Sequence, residues 1–218
     1  MAQVVEAFRF LSARVGTLEQ RLAYQDRPVE GASWLVPAEE LGPWVAPVAA
    51  HVLASMPGGE VLHGDCGEGR LLDALAEGGA ASLGIEPRGG VALRALERGC
   101  SVTICEVIEH VAARPAGSVG AVVLSGVVDR LPLHGLLPLL AQVRRVLALD
   151  APIVVVASDP VGVEGTWETA ALDLIEGRPL QSQTWELLLD RAGFVDVTPL
   201  HPAGFGDGRF ALAASTST

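Results

Sequence analysis

The 218-residue sequence contains no lysine; all fifteen of its basic side chains are arginine. A P-loop closes on Gly-Lys-Ser/Thr, so that kind of nucleotide grip is excluded. Positive charge is scarce altogether. Against 26 acidic residues the net charge is −11, and no arginine-rich stripe reverses it locally, so no nucleic-acid partner is expected. Cysteine is sparse too. Cys66, Cys100 and Cys105 make an odd set without a CxxC pair, which signals neither a zinc knuckle nor a redox couple. His63, Asp65 and Cys66 alternate faces at a strand end with no companion cluster, so no metal site is expected. Long apolar runs are absent: "GAVVLSGVV" and "PIVVVAS" are strand-sized, far short of the ~20 residues of a membrane span. Glu6, Arg9 and Arg14 break up the N-terminal apolar residues and speak against a signal peptide. The expectation is a cytoplasmic protein with no membrane partner.

What the sequence does have is apolar material for a core, at 50% hydrophobic residues. Residues 3–25 read as one helix. Val4, Phe8, Leu11, Val15, Leu18 and Leu22 alternate spacings of four and three, the seam of a short coiled coil. Two readings fit that stripe, a homodimerisation helix and a helix packed on its own domain. Pro28 and Gly31 then mark a linker, which divides the chain into an N-terminal helix, 1–30, and a domain, 31–218.

A helix is predicted from about Pro43 to Ser55. Strands and helices then alternate. "EVLHGD", "ASLGIEP", "SVTICEV", "GAVVLSG" and "PIVVVAS" read as strands, separated by "EGRLLDALAEGG", "GVALRALERGC", "IEHVAARPAG" and "HGLLPLLAQVRRVLAL" as helices. Pro138 is placed in the first turn of its helix, where proline is tolerated. The pattern predicts a mostly parallel sheet with helices on both faces. The end differs: after the helix "QTWELLLDRAGF", "FVDVTPL" and "RFALAAS" follow each other without a helix, so the C-terminal end carries an antiparallel element.

The first strand-to-helix turn is Asp65-Cys66-Gly67-Glu68-Gly69. Glycines there let backbone N–H groups approach a ligand. Glu86, ending the next strand, can accept from two ribose hydroxyls, which dinucleotides and S-adenosylmethionine both present. A dinucleotide fingerprint needs a small third residue, and counting from Gly67 and Gly69 that place holds Leu72. A nicotinamide-dependent oxidoreductase is therefore disfavoured, and a cofactor without a pyrophosphate fits better.

"VLHGDCGEGRLL", "LGIEP", "CEV", "AVVLSGVVDRLP" and "LLLDRAGF", in that order and spacing, resemble class I S-adenosylmethionine-dependent methyltransferases over residues 43 to 215. The resemblance extends to those of glycan and natural-product pathways. It implies a seven-stranded sheet with a reversed final strand, S-adenosylmethionine as cofactor, and O-methylation of a small molecule or sugar. By motif position it implies a cofactor site of His63, Gly64, Asp65, Gly67, Gly69, Glu86, Glu106, Val107 and Ser125. Asp129, Arg130 and His134 take the catalytic positions, and Trp167 and Arg178, in the long segment 158–182, are candidates for substrate contact.

Two departures from the family pattern leave a rival reading open. The family's acidic residue and first glycine are His63 and Asp65 here; two readings of Asp65 follow, one in which it takes over the cofactor's ammonium two residues along and one in which it repels the methionine carboxylate. Where relatives carry an acid-histidine pair after the fourth strand, this chain has Asp129-Arg130, and arginine stays protonated. The rival is a catalytically silent relative that keeps the fold as a dimeric scaffold. For the N-terminal helix, sedimentation of a chain beginning at Gly31 is expected to show a monomer where the full chain is a dimer; an unchanged oligomeric state retires the coiled-coil reading.

Overall fold

The computed structural model describes residues 42–160 and 179–216. The predicted coiled-coil helix, the linker, Trp167 and Arg178 lie outside the described residues. Seven strands form one sheet: β1 (Val61–Gly64), β2 (Ser82–Ile85), β3 (Val102–Thr103), β4 (Ala121–Leu124), β5 (Pro152–Ser158), β6 (Phe194–Pro199) and β7 (Arg209–Thr216). Their spatial order is β3-β2-β1-β4-β5-β7-β6. The first five strands run parallel, and β7 enters antiparallel between β5 and β6.

The helices are α1 (Gly42–Ser55), α2 (Arg70–Glu77), α3 (Gly89–Glu97), α4 (Val107–Ala113), α5 (Val127–Arg130), α6 (Leu133–Val146) and α7 (Ser182–Arg191). Strand side chains alternate between two apolar layers, as a pleated sheet requires. Val61, Val123, Val154 and Ala213 face α1 and α2. Leu62, Val122, Ile153 and Leu212 face α4, α6 and α7, where Trp185 is fully buried. No helix among the described residues is long and apolar enough to cross a membrane.

Two expectations need correction, and one short helix carried no signal in the sequence. The third strand was expected over 101–107, but only Val102 and Thr103 pair with β2. Ile104 is already 48% exposed, and by Glu106 the chain is capping α4. The residues after "AVVLSG" form a four-residue helix, α5, too short to leave a periodic signature. Pro138 is the sixth residue of α6, one turn deeper than expected. Its missing N–H leaves the carbonyl of His134 free on an exposed stretch, where water can serve it.

The strand order reverses between β1 and β4, which leave in opposite directions across the sheet. Beyond the carboxyl ends of such a pair the chain opens a crevice. Gly64 stands level with Ile85 and Leu124, so the turn after β1, Glu86 after β2 and Ser125 after β4 converge there.

Trp185 packs α7 on the sheet with no solvent exposure. Trp185→Ala is expected to cost about 3–5 kcal/mol, read as a lower denaturation midpoint in urea.

Candidate active site

Asp65 occupies the place where such turns carry glycine, and it takes up a glycine conformation, with φ 53°. Asp is among the few side chains that enter the left-handed region at modest cost. The side chain is buried, and Arg130 reaches it from α5 with two bonds, Nε–H and Nη2–H each donating to a carboxylate oxygen at 3.1 Å. Nη2 of Arg130 also donates to Glu106 at 3.2 Å. Burial pushes the Asp65 carboxyl above its ordinary pKa, and Arg130 pulls the other way. Burial alone lowers the Arg130 guanidinium, but Asp65 and Glu106 outweigh it and hold it above its usual value.

Glu86 has no solvent exposure. One oxygen accepts from the backbone N–H (3.0 Å) and Nε–H (2.7 Å) of Arg88; the other accepts from Nη2–H of Arg88 (2.9 Å) and the backbone N–H of Gly67 (2.9 Å). Pro87 ends the strand and turns Arg88 back on it. Of the glycines assigned to the cofactor, Gly67 alone faces open space: it has φ 57°, and a Cβ there would meet nothing within 4 Å. Gly64 instead makes room for Val107 and Leu124, whose methyl groups stand 3.0–3.1 Å from its absent Cβ. Gly69, with φ 84°, makes room for the Cys100 sulfur at 2.6 Å. Val107, the first residue of α4, turns its side chain into the core. Leu72 is buried as well and packs beneath Gly84, whose absent Cβ it would meet at 2.8 Å.

His63 is buried beside Trp44, their rings edge to face with centroids 6.2 Å apart. Its Nε2 lies 2.9 Å from Ser125 Oγ, and that hydroxyl also lies 3.1 Å from the Asp65 carbonyl. A carbonyl only accepts, so the single hydroxyl hydrogen goes to it, and Nε2–H donates to Oγ. Nδ1 is then a bare lone pair, buried without a partner. Burial lowers the His63 pKa to about 4, with Glu86 opposing. The residue is neutral at physiological pH and carries no charge toward a ligand.

Asp129 and Arg130, adjacent in sequence, diverge. Arg130 turns to the β1 turn. Asp129 turns to β5, accepting from the backbone N–H (3.1 Å) and hydroxyl (2.8 Å) of Ser158. Burial raises its pKa to about 6, against the bonds from Ser158 and the pull of Arg209. His134 is exposed on α6 and does not line the cleft. The cleft under the turn measures about 70 Å³, and its lining includes Trp44, His63, Asp65, Arg88, Ser125 and Arg209. Arg88, Arg209, Trp44 and Ser158 were not singled out from the sequence. Arg88 had a signal, two residues past an acidic strand end and just after a proline; the others had none.

A crevice at the strand-order reversal, a glycine turn and a buried carboxylate ending β2 form the setting in which the comparisons fall. No protein-family model and no curated protein matches the sequence. Solved structures do match. The fold is that of the S-adenosylmethionine-dependent methyltransferases. One such enzyme from Archaeoglobus fulgidus aligns with TM-score 0.66 at 18% identity, over 84% of this chain and 97% of its own. A possible histamine N-methyltransferase from Thermotoga maritima aligns with TM-score 0.60 at 19% identity, over 82% and 92%. A magnesium protoporphyrin IX methyltransferase from Synechocystis, with S-adenosylmethionine bound, aligns with TM-score 0.61 at 16% identity, over 93% and 91%.

His63 and Asp129 titrate in opposite senses. The folded pKa of His63, about 4, lies below its ordinary 6.5, so its contribution is complete above pH 6.5 and is lost as pH falls toward 4. The folded pKa of Asp129, about 6, lies above its ordinary 3.8, so its cost is complete above pH 6 and is relieved as pH falls toward 3.8. Each amounts to about 3 kcal/mol across its window, and in the wild type they nearly cancel. Relative to wild type, Asp129→Asn is expected to lose stability as pH falls from 6.5 to 4, and His63→Gln to gain it, in urea titrations at each pH.

Proposed function

We propose that the protein is an S-adenosylmethionine-dependent methyltransferase that methylates an oxygen of a small molecule or sugar. The support is the fold it shares with structures of such enzymes, and above all Glu86, a carboxylate just past β2, one oxygen of which reaches the Gly67 turn. The residues fit the cofactor: a carboxylate for two vicinal hydroxyls, a glycine with open space beyond its α-carbon, and Asp65 for an ammonium group. The space is closed. About 70 Å³ compares with the ~300–1,000 Å³ of ligand pockets, and Arg88 and Arg130 hold the carboxylates a cofactor needs. Their side chains are 27% and 30% exposed, so each has a path outward.

When bound, the cofactor supplies a methyl group activated on a sulfonium. Glu86 would hold the ribose hydroxyls in place of the Arg88 guanidinium, and Asp65 would hold the ammonium in place of Arg130. Arg130 keeps Glu106 as an alternative partner. His63, neutral and bonded to Ser125, shapes the wall without repelling the ammonium. Asp129 lines neither the cleft nor the larger groove and is taken up by Ser158, so its part is to hold the end of β5 in place; alignment of the acceptor carries the rate. Residues 31–218 form the transferase unit, residues 1–30 pair it as a homodimer, and the protein works in the cytoplasm.

The closed cleft favours a second reading, a silent relative that keeps the fold as a scaffold. Titration with S-adenosylmethionine, followed by calorimetry and melting shift, separates the two. Glu86→Gln is expected to weaken binding by about tenfold or more. Arg88→Ala, which removes a competitor for Glu86, is expected to tighten it several-fold. If wild type and Arg88→Ala alike bind nothing at millimolar ligand, the scaffold reading stands.

A further inference from the structure

Arg209 opens β7, paired in register with Ser158 at the end of β5. Its backbone is pinned on two sides: the Asp159 N–H donates to the Gly208 carbonyl (2.7 Å), and the Phe205 N–H to the carbonyl of Arg209 (3.1 Å). Among the described residues, Arg209 alone lines both the cleft beneath the turn and a second, larger hollow. That hollow is a groove of about 730 Å³, walled by Gln181, Gln183 and Glu186 near the start of α7, by Asp159, and by the turn that carries His201. A methyl acceptor must enter from solvent and end against the cofactor, and a residue common to groove and cleft stands where the two meet.

The chemistry of Arg209 points to what meets it there. Among the described residues its guanidinium forms no ion pair and no hydrogen bond. Burial lowers its pKa, and the nearby charges of Asp129 and Asp207 do not restore it. A part-buried guanidinium without a bonded counterion is costly, and an oxyanion that offers two oxygens to two of its N–H groups relieves that cost. The groove is not a general anion trap. Glu186 lines it and repels a second anionic group, while it and the two glutamines accept from hydroxyls and Gln181 and Gln183 also donate.

We infer that Arg209 anchors an oxyanion on the methyl acceptor, and that the acceptor is a hydroxylated small molecule with one anionic group, a sugar carboxylate or sugar phosphate. The inference rests on the methyltransferase reading for the word acceptor; the site itself does not.

The test is calorimetry on the full chain with glucuronate and glucose 6-phosphate as probes and glucose as the neutral control. S-adenosylhomocysteine binding is measured on the same samples. At least one anionic probe is expected to bind about tenfold more tightly than glucose, and whichever binds better identifies carboxylate or phosphate. Arg209→Gln is expected to erase the preference, and Arg209→Lys to keep part of it, since a point charge replaces a fork. Equal binding of all three probes to wild type overturns the inference, as does a preference that survives in a folded Arg209→Gln protein. Should that variant fail to fold, an unchanged preference in Arg209→Lys overturns it instead. Binding of S-adenosylhomocysteine without an anion preference retires Arg209 alone. An anion preference without S-adenosylhomocysteine binding keeps the Arg209 site and retires the methyltransferase reading.

Discussion

A carboxylate sealed from solvent must find all its partners inside the protein, and Glu86 finds them in two residues, Gly67 and Arg88. That requirement ties the β1 turn to the end of β2. It draws Arg88 across the crevice, and it leaves little room beneath the turn while the guanidinium stays. Asp65 repeats the scheme one strand over, with Arg130 in the role of Arg88. A protein with a charge of −11 thus spends two arginines on the acidic groups at its sheet reversal. The crevice is held shut by ion pairs rather than by apolar side chains, so a ligand with hydroxyl and ammonium groups can compete for the same oxygens.

The large features of the fold were legible because apolar runs and glycine or proline stops mark them directly. "AVVL" is buried end to end and "PIVVVAS" is buried up to its last residue; they became β4 and β5. The absence of a helix between the last two strands announced the antiparallel pair. Boundaries set by the tertiary context were less legible. β3 is an edge strand with β2 as its single neighbour, and its last ladder bond is the one its Thr103 carbonyl accepts from the Glu86 N–H, after which both chains turn away.

The candidate site was legible in outline and not in its charges. The turn, the acidic end of β2 and Ser125 could be placed from their order along the chain. The pairing of Arg130 with Asp65 spans 65 residues and leaves no local pattern. Gly64 and Gly69 look in the sequence like glycines that admit a ligand, but Val107, Leu124 and the Cys100 sulfur occupy their vacancies. One-dimensional spacing shows that a Cβ is missing, and only packing shows what fills the gap. The opposite holds for Asp65, where a side chain sits in a glycine's conformation because Arg130 holds its carboxylate in place.

β7 runs against its neighbours, and this has an evolutionary consequence. A strand in the common direction would bring its last residue to the crevice; β7 delivers its first, Arg209, straight from the turn at 200–208. That turn can lengthen, shorten or change composition without disturbing the β1 turn, which is anchored three strands away. Selectivity for one molecule over another can thus drift in this corner of the scaffold while the machinery at the sheet reversal stays fixed.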